Sequence, residues 1–250
     1  MKVSENLQTR YDAQYEAGVS AWRMVCAKQK VQNILEVCRD LPRAGRVLDV
    51  GAGDGSILAL LDEAGFCDSL YAIDISRSSV DEIGKRGIAS LKEVQQYDGY
   101  RIPYDDEFFD LVILSHVIEH VEFPRALLRE IRRVSRHQVI EIPLDFIYDV
   151  DRKVDHFLAY GHINVYHPML FRFLLRTEGF VPLADRVSIN EMEVFFHSTF
   201  VMAGKRKTAV AVVVAAVKVF LRRMAVRWLG RNVAELVGHA YTVLCAKEAA

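Results

Sequence analysis

Arg46-Val47-Leu48-Asp49-Val50 is a short apolar run that opens directly into Gly51-Ala52-Gly53-Asp54-Gly55, and helical spacing resumes from Ser56 to Ala64. A strand ending in three alternating glycines must turn sharply, because residues without Cβ reach backbone conformations closed to others. Strand, glycine loop and helix in that order point backbone N–H groups and a helix N-terminus at one spot, a place where α/β sheets bind ligands. The rest of the chain keeps the alternation. Helical spacing runs over 19–40, with Pro42 and Gly45 closing it, and over 78–86, 124–134 and 168–177; Ser76 or Ser78 can cap the second of these. Strand patterns occupy 70–74, 91–96, 109–114, 138–142, 180–189 and 240–246. The alternation predicts a doubly wound, mostly parallel α/β sheet with right-handed crossovers.

Composition narrows the class. At 250 residues the chain is long enough to bury a core without disulfides or a structural metal. Hydrophobic residues make up 51% and charged residues 26%, which excludes a disordered chain. Cys26, Cys38, Cys67 and Cys245 are scattered with no CxxC pair, so neither a zinc ribbon nor a disulfide framework is expected, and a reducing compartment suits them. The first 15 residues are polar and lack the apolar stretch of a secretory signal, so a cytoplasmic location is expected.

The glycine spacing separates two ligand classes. A dinucleotide fingerprint needs glycine at position 56, where Ser56 stands. Together with the lack of a convincing hydride-transfer constellation, this disfavours a nicotinamide-dependent dehydrogenase. Asp74 closes the next strand, 19 residues after Gly55, where a carboxylate can accept ribose hydroxyls. Asp49, at the end of the first strand, can order the loop or favour an ammonium.

Here the sequence resembles the class I S-adenosylmethionine-dependent methyltransferases, over roughly residues 45–180. Val47 to Gly55 resembles the family's first motif, and Tyr71-Ala72-Ile73-Asp74-Ile75-Ser76 its ribose-binding strand end. Asp98-Gly99, ahead of Ile102-Pro103-Tyr104, resembles the adenine-contacting segment. Phe109 to Val121, with Ser115, resembles the fourth strand and its turn. The resemblance implies a Rossmann-like sheet of seven strands, the last antiparallel. It also implies bound S-adenosyl-L-methionine held by Asp49, Gly51, Gly53, Gly55, Asp74, Ile75, Asp98, Gly99 and Ser115. Arg23, in an N-terminal lid, could then pair with the cofactor carboxylate.

Methyl transfer from a sulfonium is an in-line displacement, so the enzyme aligns acceptor and cofactor and, for a hydroxyl, removes a proton. His116 follows the fourth strand and is the first candidate for a base or acceptor-positioning residue. His156, beside Asp155, and His162 lie in the long segment after the fifth strand and are the other candidates. Proximity alone remains open as the mechanism. Glu119-His120 is a common feature of that turn in the family and reads as structural. With no HxxxH helix and no carboxylate triad, no metal is expected. The Gly161-His162-Ile163 to Tyr166 segment and the Leu174-Leu175 to Gly179-Phe180 segment resemble small-molecule and glycan-modifying members.

The charge distribution marks a further segment. The formal net charge is -1, which gives no global reason to expect a nucleic-acid partner. Between Val194 and Ala234, however, Lys205, Arg206, Lys207, Lys218, Arg222, Arg223, Arg227 and Arg231 occur with no acid. Val210, Val214, Val217, Leu221, Met224 and Trp228 share one helical face there. The apolar run is too short to span a bilayer. The segment can lie on an anionic membrane, pair with a second copy or partner, or cap the site. The expected organisation is a helical lid over 1–44, a methyltransferase core over 45–190 and 236–250, and a basic, valine-rich helical insert over 191–235. The expected function is O-methylation of a small molecule or glycan, free or lipid-linked. N- or C-methylation of a natural product and a non-catalytic membrane- or partner-binding module are the alternatives. Nucleic-acid methylation is disfavoured, since no Asn-Pro-Pro-Tyr motif or cysteine nucleophile adjoins the fourth strand.

Overall fold

The computed structural model describes residues 21–145, 161–202, 204 and 206–248. The strands are β1 (Ala44–Val50), β2 (Cys67–Asp74), β3 (Leu91–Gln96), β4 (Phe109–Ser115), β5 (Ser135–Pro143), β6 (Phe180–Ser188) and β7 (Ala240–Lys247). They form one sheet in the order β3-β2-β1-β4-β5-β7-β6. All run parallel except β7, which is antiparallel to both neighbours. The expected seven-stranded, doubly wound sheet is present, with a helical insert before its last strand. Strands β2 and β5 run furthest beyond their sequence patterns. Cys67-Asp68-Ser69 lacks apolar alternation, yet pairing of Ala44 with Cys67 and Arg46 with Ser69 draws it into β2. Likewise Ser135 and His137 join β5 through Phe109 and Leu111. Parallel pairing across the sheet, not local pattern, sets those ends.

Alternation along each strand builds two cores. Leu48 and Val50 of β1, Val112 and Leu114 of β4, and Ile140 and Ile142 of β5 face one side. They pack against α4 (Pro124–Val134) through Leu127, Leu128 and Ile131, and against α5 (Pro168–Thr177) through Phe171 and Leu175. Val47, Leu111, Ile113, Val139 and Leu244 face the other side. That face is covered by α1 (Ala21–Val37), α2 (Ser56–Glu63) and α3 (Arg77–Lys85), with Ile34, Leu58, Leu61 and Ile83 fully buried. Of the 1–44 lid expected from sequence, the described part, α1, is built into this wall. Residues 1–20 lie outside the described residues.

Strand order reverses between β1 and β4, so their carboxyl ends diverge and leave a crevice. The glycine loop leaves β1 on one side of it and His116 leaves β4 on the other. The chain between β6 and β7 starts and ends on the same edge, since Ser188 pairs with Ala240 and Ala240 with Pro143. That connection holds α6 (Met192–Phe196), a π-helical turn His197–Met202, α7 (Ala209–Leu229) and α8 (Arg231–Val237), matching the helical insert. The fold thus puts glycine loop, histidine turn and insert on one edge.

Leu48 is fully buried between β2 and β4. Leu48→Ala is expected to lower the unfolding free energy by about 2–5 kcal/mol, read from the urea midpoint at constant slope, because the close-packed sheet face cannot refill the space.

Candidate active site

The loop after β1 owes its shape to positive φ at Gly51, Gly53 and Gly55. At Gly51, φ +72°, a Cβ would come 2.5 Å from Val117 Cγ2, so neither the backbone angle nor the space admits a side chain. Asp74, at the end of β2, fastens the loop. Its Oδ2 accepts the Gly53 N–H at 2.8 Å and its Oδ1 accepts the Ser76 N–H at 2.9 Å. A carboxylate offers about four lone-pair sites, so this clamp leaves acceptor capacity for hydroxyls. Ser76 in turn caps α3, as its sequence position suggests, by accepting the Ser79 N–H. Asp98 Oδ1 accepts the N–H groups of Tyr100 (2.9 Å) and Arg101 (2.7 Å) and so shapes the next turn, with Gly99 at φ +89°. Ile75 follows Asp74, and its carbonyl accepts from Gln96 Nε2 at 2.8 Å. The cofactor residues expected from sequence on β1, β2, β4 and the turn at 98–99 therefore border one sheet edge. Arg23 sits half-buried near the start of α1.

Asp49 fits a positively charged ligand. It is 1% exposed, and its Oδ2 accepts no hydrogen bond. Burial pushes its carboxyl up, Lys30 pulls it down and Asp74 pushes it up again, to about 7. Burial likewise raises Asp74, against its backbone hydrogen bonds, to about 6. A buried carboxylate oxygen lacking a donor, beside a loop no side chain can fill, suits an amino-acid ammonium.

Across the crevice, β4 ends at Ser115 and the chain turns through His116, which is not a glycine yet has φ +56°. Such a residue persists where its surroundings over-determine it. The His116 N–H donates to Glu141 O at 2.9 Å. Its ring lies between two buried carboxylates, Nδ1 3.4 Å from Glu119 Oε1 and Nε2 3.3 Å from Glu141 Oε1. Burial and Lys30 both push the imidazole down, but its contacts with Glu119 and Glu141 outweigh them and the net shift is up. Burial also opposes ionisation of Glu141, yet His116, Lys30 and Thr242 hold its carboxyl down at about 2. Glu141 further accepts from Asn33 Nδ2 (2.9 Å), Thr242 Oγ1 (2.6 Å) and Ser115 Oγ (3.3 Å).

A second group lies beside it. His120, in the 3-10 turn Ile118–His120, faces Gly161 O with Nδ1 at 2.9 Å. His162 places Nδ1 2.5 Å from Asp145 Oδ2. The His120 and His162 rings meet edge to face, centroids 4.9 Å apart. Of the three catalytic candidates, the structure thus brings His116 and His162 to this edge; His156 lies outside the described residues. Sequence reasoning passed over Lys30, Asn33, Glu141 and Asp145. Glu141 had left a readable sign, an acid inside the apolar run Val139-Ile140-Glu141-Ile142. Lys30, Asn33 and Asp145 had none, because only packing of α1 and of the post-β5 segment brings them here.

This geometry matches known proteins. Residues 48–140 fit the family described as a methyltransferase domain. A solved S-adenosylmethionine-dependent methyltransferase of Archaeoglobus fulgidus superposes with a TM-score of 0.59, covering 95% of this chain and 99% of that one at 19% identity. Over residues 48–140 the chain is similar to the methyltransferase domain family, and its fold is that of S-adenosylmethionine-dependent methyltransferases. That similarity implies S-adenosyl-L-methionine as cofactor, which brings a methyl group on a positively charged sulfur. A ubiquinone/menaquinone biosynthesis C-methyltransferase UbiE of Desulfotalea psychrophila is 26% identical over 190 residues, 75% of this chain and 74% of its own. A phosphatidylethanolamine N-methyltransferase of Cereibacter sphaeroides is 31% identical over 98 residues, 38% of this chain and 47% of its own. The chain spans about half the length, or less, of several curated relatives it matches.

Asp49 sets a pH dependence for cofactor binding. Below about pH 7 its carboxyl carries a proton in the ligand-free protein, and that proton must leave before an ammonium gains by pairing with it. Calorimetry with S-adenosylhomocysteine is expected to show affinity rising up to tenfold per pH unit between pH 5.5 and 7, then levelling. In Asp49→Asn the slope should flatten, leaving the share from Asp74, and the affinity should drop.

Proposed function

We propose that this methyltransferase transfers the methyl group to an oxygen of a lipid-linked small molecule or glycan, working in the cytoplasm at the surface of an anionic membrane. The observation that carries the lipid-linked part is α7. Val210, Val213, Val214, Val217, Phe220, Leu221 and Trp228 are all exposed, Val210 and Trp228 at 73%. The helix is held to the domain by its opposite face, where Ala215 and Val219 are buried. At 100° per residue, Lys218 and Arg222 flank the apolar ridge on one side and Arg227 on the other. An apolar ridge between bases is the pattern of a helix lying in a membrane interface. No helix among the described residues is long and apolar enough to cross a membrane. Because both ends of the insert rise from the carboxyl edge of the sheet, a membrane under α7 would present its acceptors beside the cofactor loop.

The oxygen acceptor is supported by the histidines and carboxylates on that edge, since a hydroxyl must lose a proton during transfer. Both ring nitrogens of His116 face glutamates. Its role is then that of a fixed cation holding the turn, and the proton leaves on the other side of Glu119, where His120 and His162 meet. Asp49, Gly51, Gly53, Gly55, Asp74, Ile75, Asp98, Gly99, Ser115 and Arg23 hold the cofactor.

Two measurements test this reading. Incubation with methyl-labelled S-adenosylmethionine and extracted membrane lipids should put the label into the organic phase as an ether; label confined to water-soluble or amine products overturns it. The protein should co-sediment with vesicles containing about 30% anionic lipid, less as salt rises, because each Lys and Arg contact is screened. Val217→Ser with Leu221→Ser and Trp228→Ser should lower the bound fraction at least tenfold while leaving S-adenosylhomocysteine binding intact. If these variants instead alter only a concentration-dependent mass, the ridge is a dimer face.

A further inference from the structure

We infer that Glu119, His120 and His162 form a binding site for one divalent transition-metal ion of the zinc or manganese class. The ligand atoms of these three residues all lie within 4.8 Å of one another. No spacing motif joins them, since 41 residues separate Gly161 from His120 and only the fold brings their turns together. The junction is rigid. The N–H groups of Ile163 and Asn164 both donate to Glu119 O at 3.0 Å, and Asn164 Nδ2 donates to Val121 O at 2.7 Å. The two ligand-bearing segments are thereby stapled before any ion arrives.

Glu119 is the strongest sign. It is fully buried, and neither carboxylate oxygen accepts a hydrogen bond. Its neighbour Glu141 is as buried but takes three side-chain hydrogen bonds, and the two acids share the single ring of His116. Glu119 has the shared His116 ring at 3.4 Å but none of Glu141's three further side-chain donors, so a second cation would offset more of its burial. The His120 ring points the same way. A carbonyl only accepts, so Nδ1–H must donate to Gly161 O, and in the neutral ring Nε2 then carries the lone pair. That atom faces Glu119 Oε1 at 3.8 Å. Both atoms are of the kind that ligate a borderline dication.

The surroundings complete the pattern. Metal-binding imidazoles usually give their other N–H to a carbonyl or carboxylate, which fixes the ring and raises its basicity. His120 has Gly161 O in that position and His162 has Asp145. Two imidazoles and one carboxylate suit a borderline dication and leave coordination positions open. Ligand atoms around tetrahedral zinc lie about 3.3 Å apart, so small side-chain rotations close the set. The role of the ion rests on the O-methylation reading: in an open position it would hold the acceptor oxygen and ease loss of its proton. The site itself does not depend on that reading.

The test is metal binding without acceptor, on untagged protein stripped with a chelator. Titration with zinc chloride should saturate at one equivalent, and cobalt(II) should give the visible absorption of a low-symmetry site. Glu119→Gln and His162→Ala should each weaken zinc binding at least tenfold. Asp145→Asn, which removes no ligand, should weaken it about 10–100-fold with an unchanged circular dichroism spectrum. Absence of saturable binding in the wild type overturns the site, as does binding that survives Glu119→Gln and His162→Ala. The proposed function is read separately, from S-adenosylhomocysteine binding and ether formation by the wild type, so loss of the metal site and loss of the proposed function would be told apart.

Discussion

Glu141 ties this edge of the molecule together. It sits on the sheet face that α1 covers, fully out of water, and its carboxylate is met from four elements: Asn33 of α1, Ser115 of β4, Thr242 of β7 and the ring of His116. Burying that charge is tolerable because each contact is present, and leaving such a charge without its partner costs about 3–5 kcal/mol. The position of α1, the strained turn at His116 and the seating of β7 are therefore coupled through one side chain. Glu141 faces α1 because β5 alternates, with Val139 on the same face and Ile140 and Ile142 on the other.

The same coupling explains why the N-terminal helix matters to the site. Gln29 donates to Ile189 O at 2.7 Å and accepts the Glu191 N–H at 3.1 Å, which joins α1 to the start of the insert. Trp22 stacks on His197 at 5.4 Å between centroids. Lys30 lies between these ties, and its charge is felt by Asp49, His116, Glu141 and His239. Cofactor loop, histidine turn and basic insert thus share one supporting helix. A shift of α1 would move the charge felt by Asp49 and the anchor of the basic insert together.

The insert shows where local pattern and packing part company. Sequence periodicity identifies the stripe Val210, Val214, Val217, Leu221, Met224 and Trp228, and such a stripe ordinarily turns inward. In the structure α7 rests on small and β-branched residues, Ala215 and Val219, and all of the stripe but Met224 stays exposed. Exposed apolar surface on this scale marks an interaction face. Bases beside it, with no acid between Val194 and Ala234, give that face a sign.

By itself the sequence determined the sheet, its helices and the cofactor edge. Those depend on alternation within a few residues and on glycines whose positive φ no other residue adopts cheaply. Strand, loop and acid at Val47 to Gly55 and at Asp74 were legible for that reason, and so was His116 as an edge residue. Tertiary structure alone decided what His116 faces and brought Asn33, Asp145 and His162 to one edge. It also seated the acid of the Glu119-His120 turn in the interior, beside the ring of His116. These residues lie far apart in the chain, and their meaning is electrostatic. Whether a carboxylate is solvated, paired or stranded depends on which distant groups surround it after folding, and no local spacing encodes that.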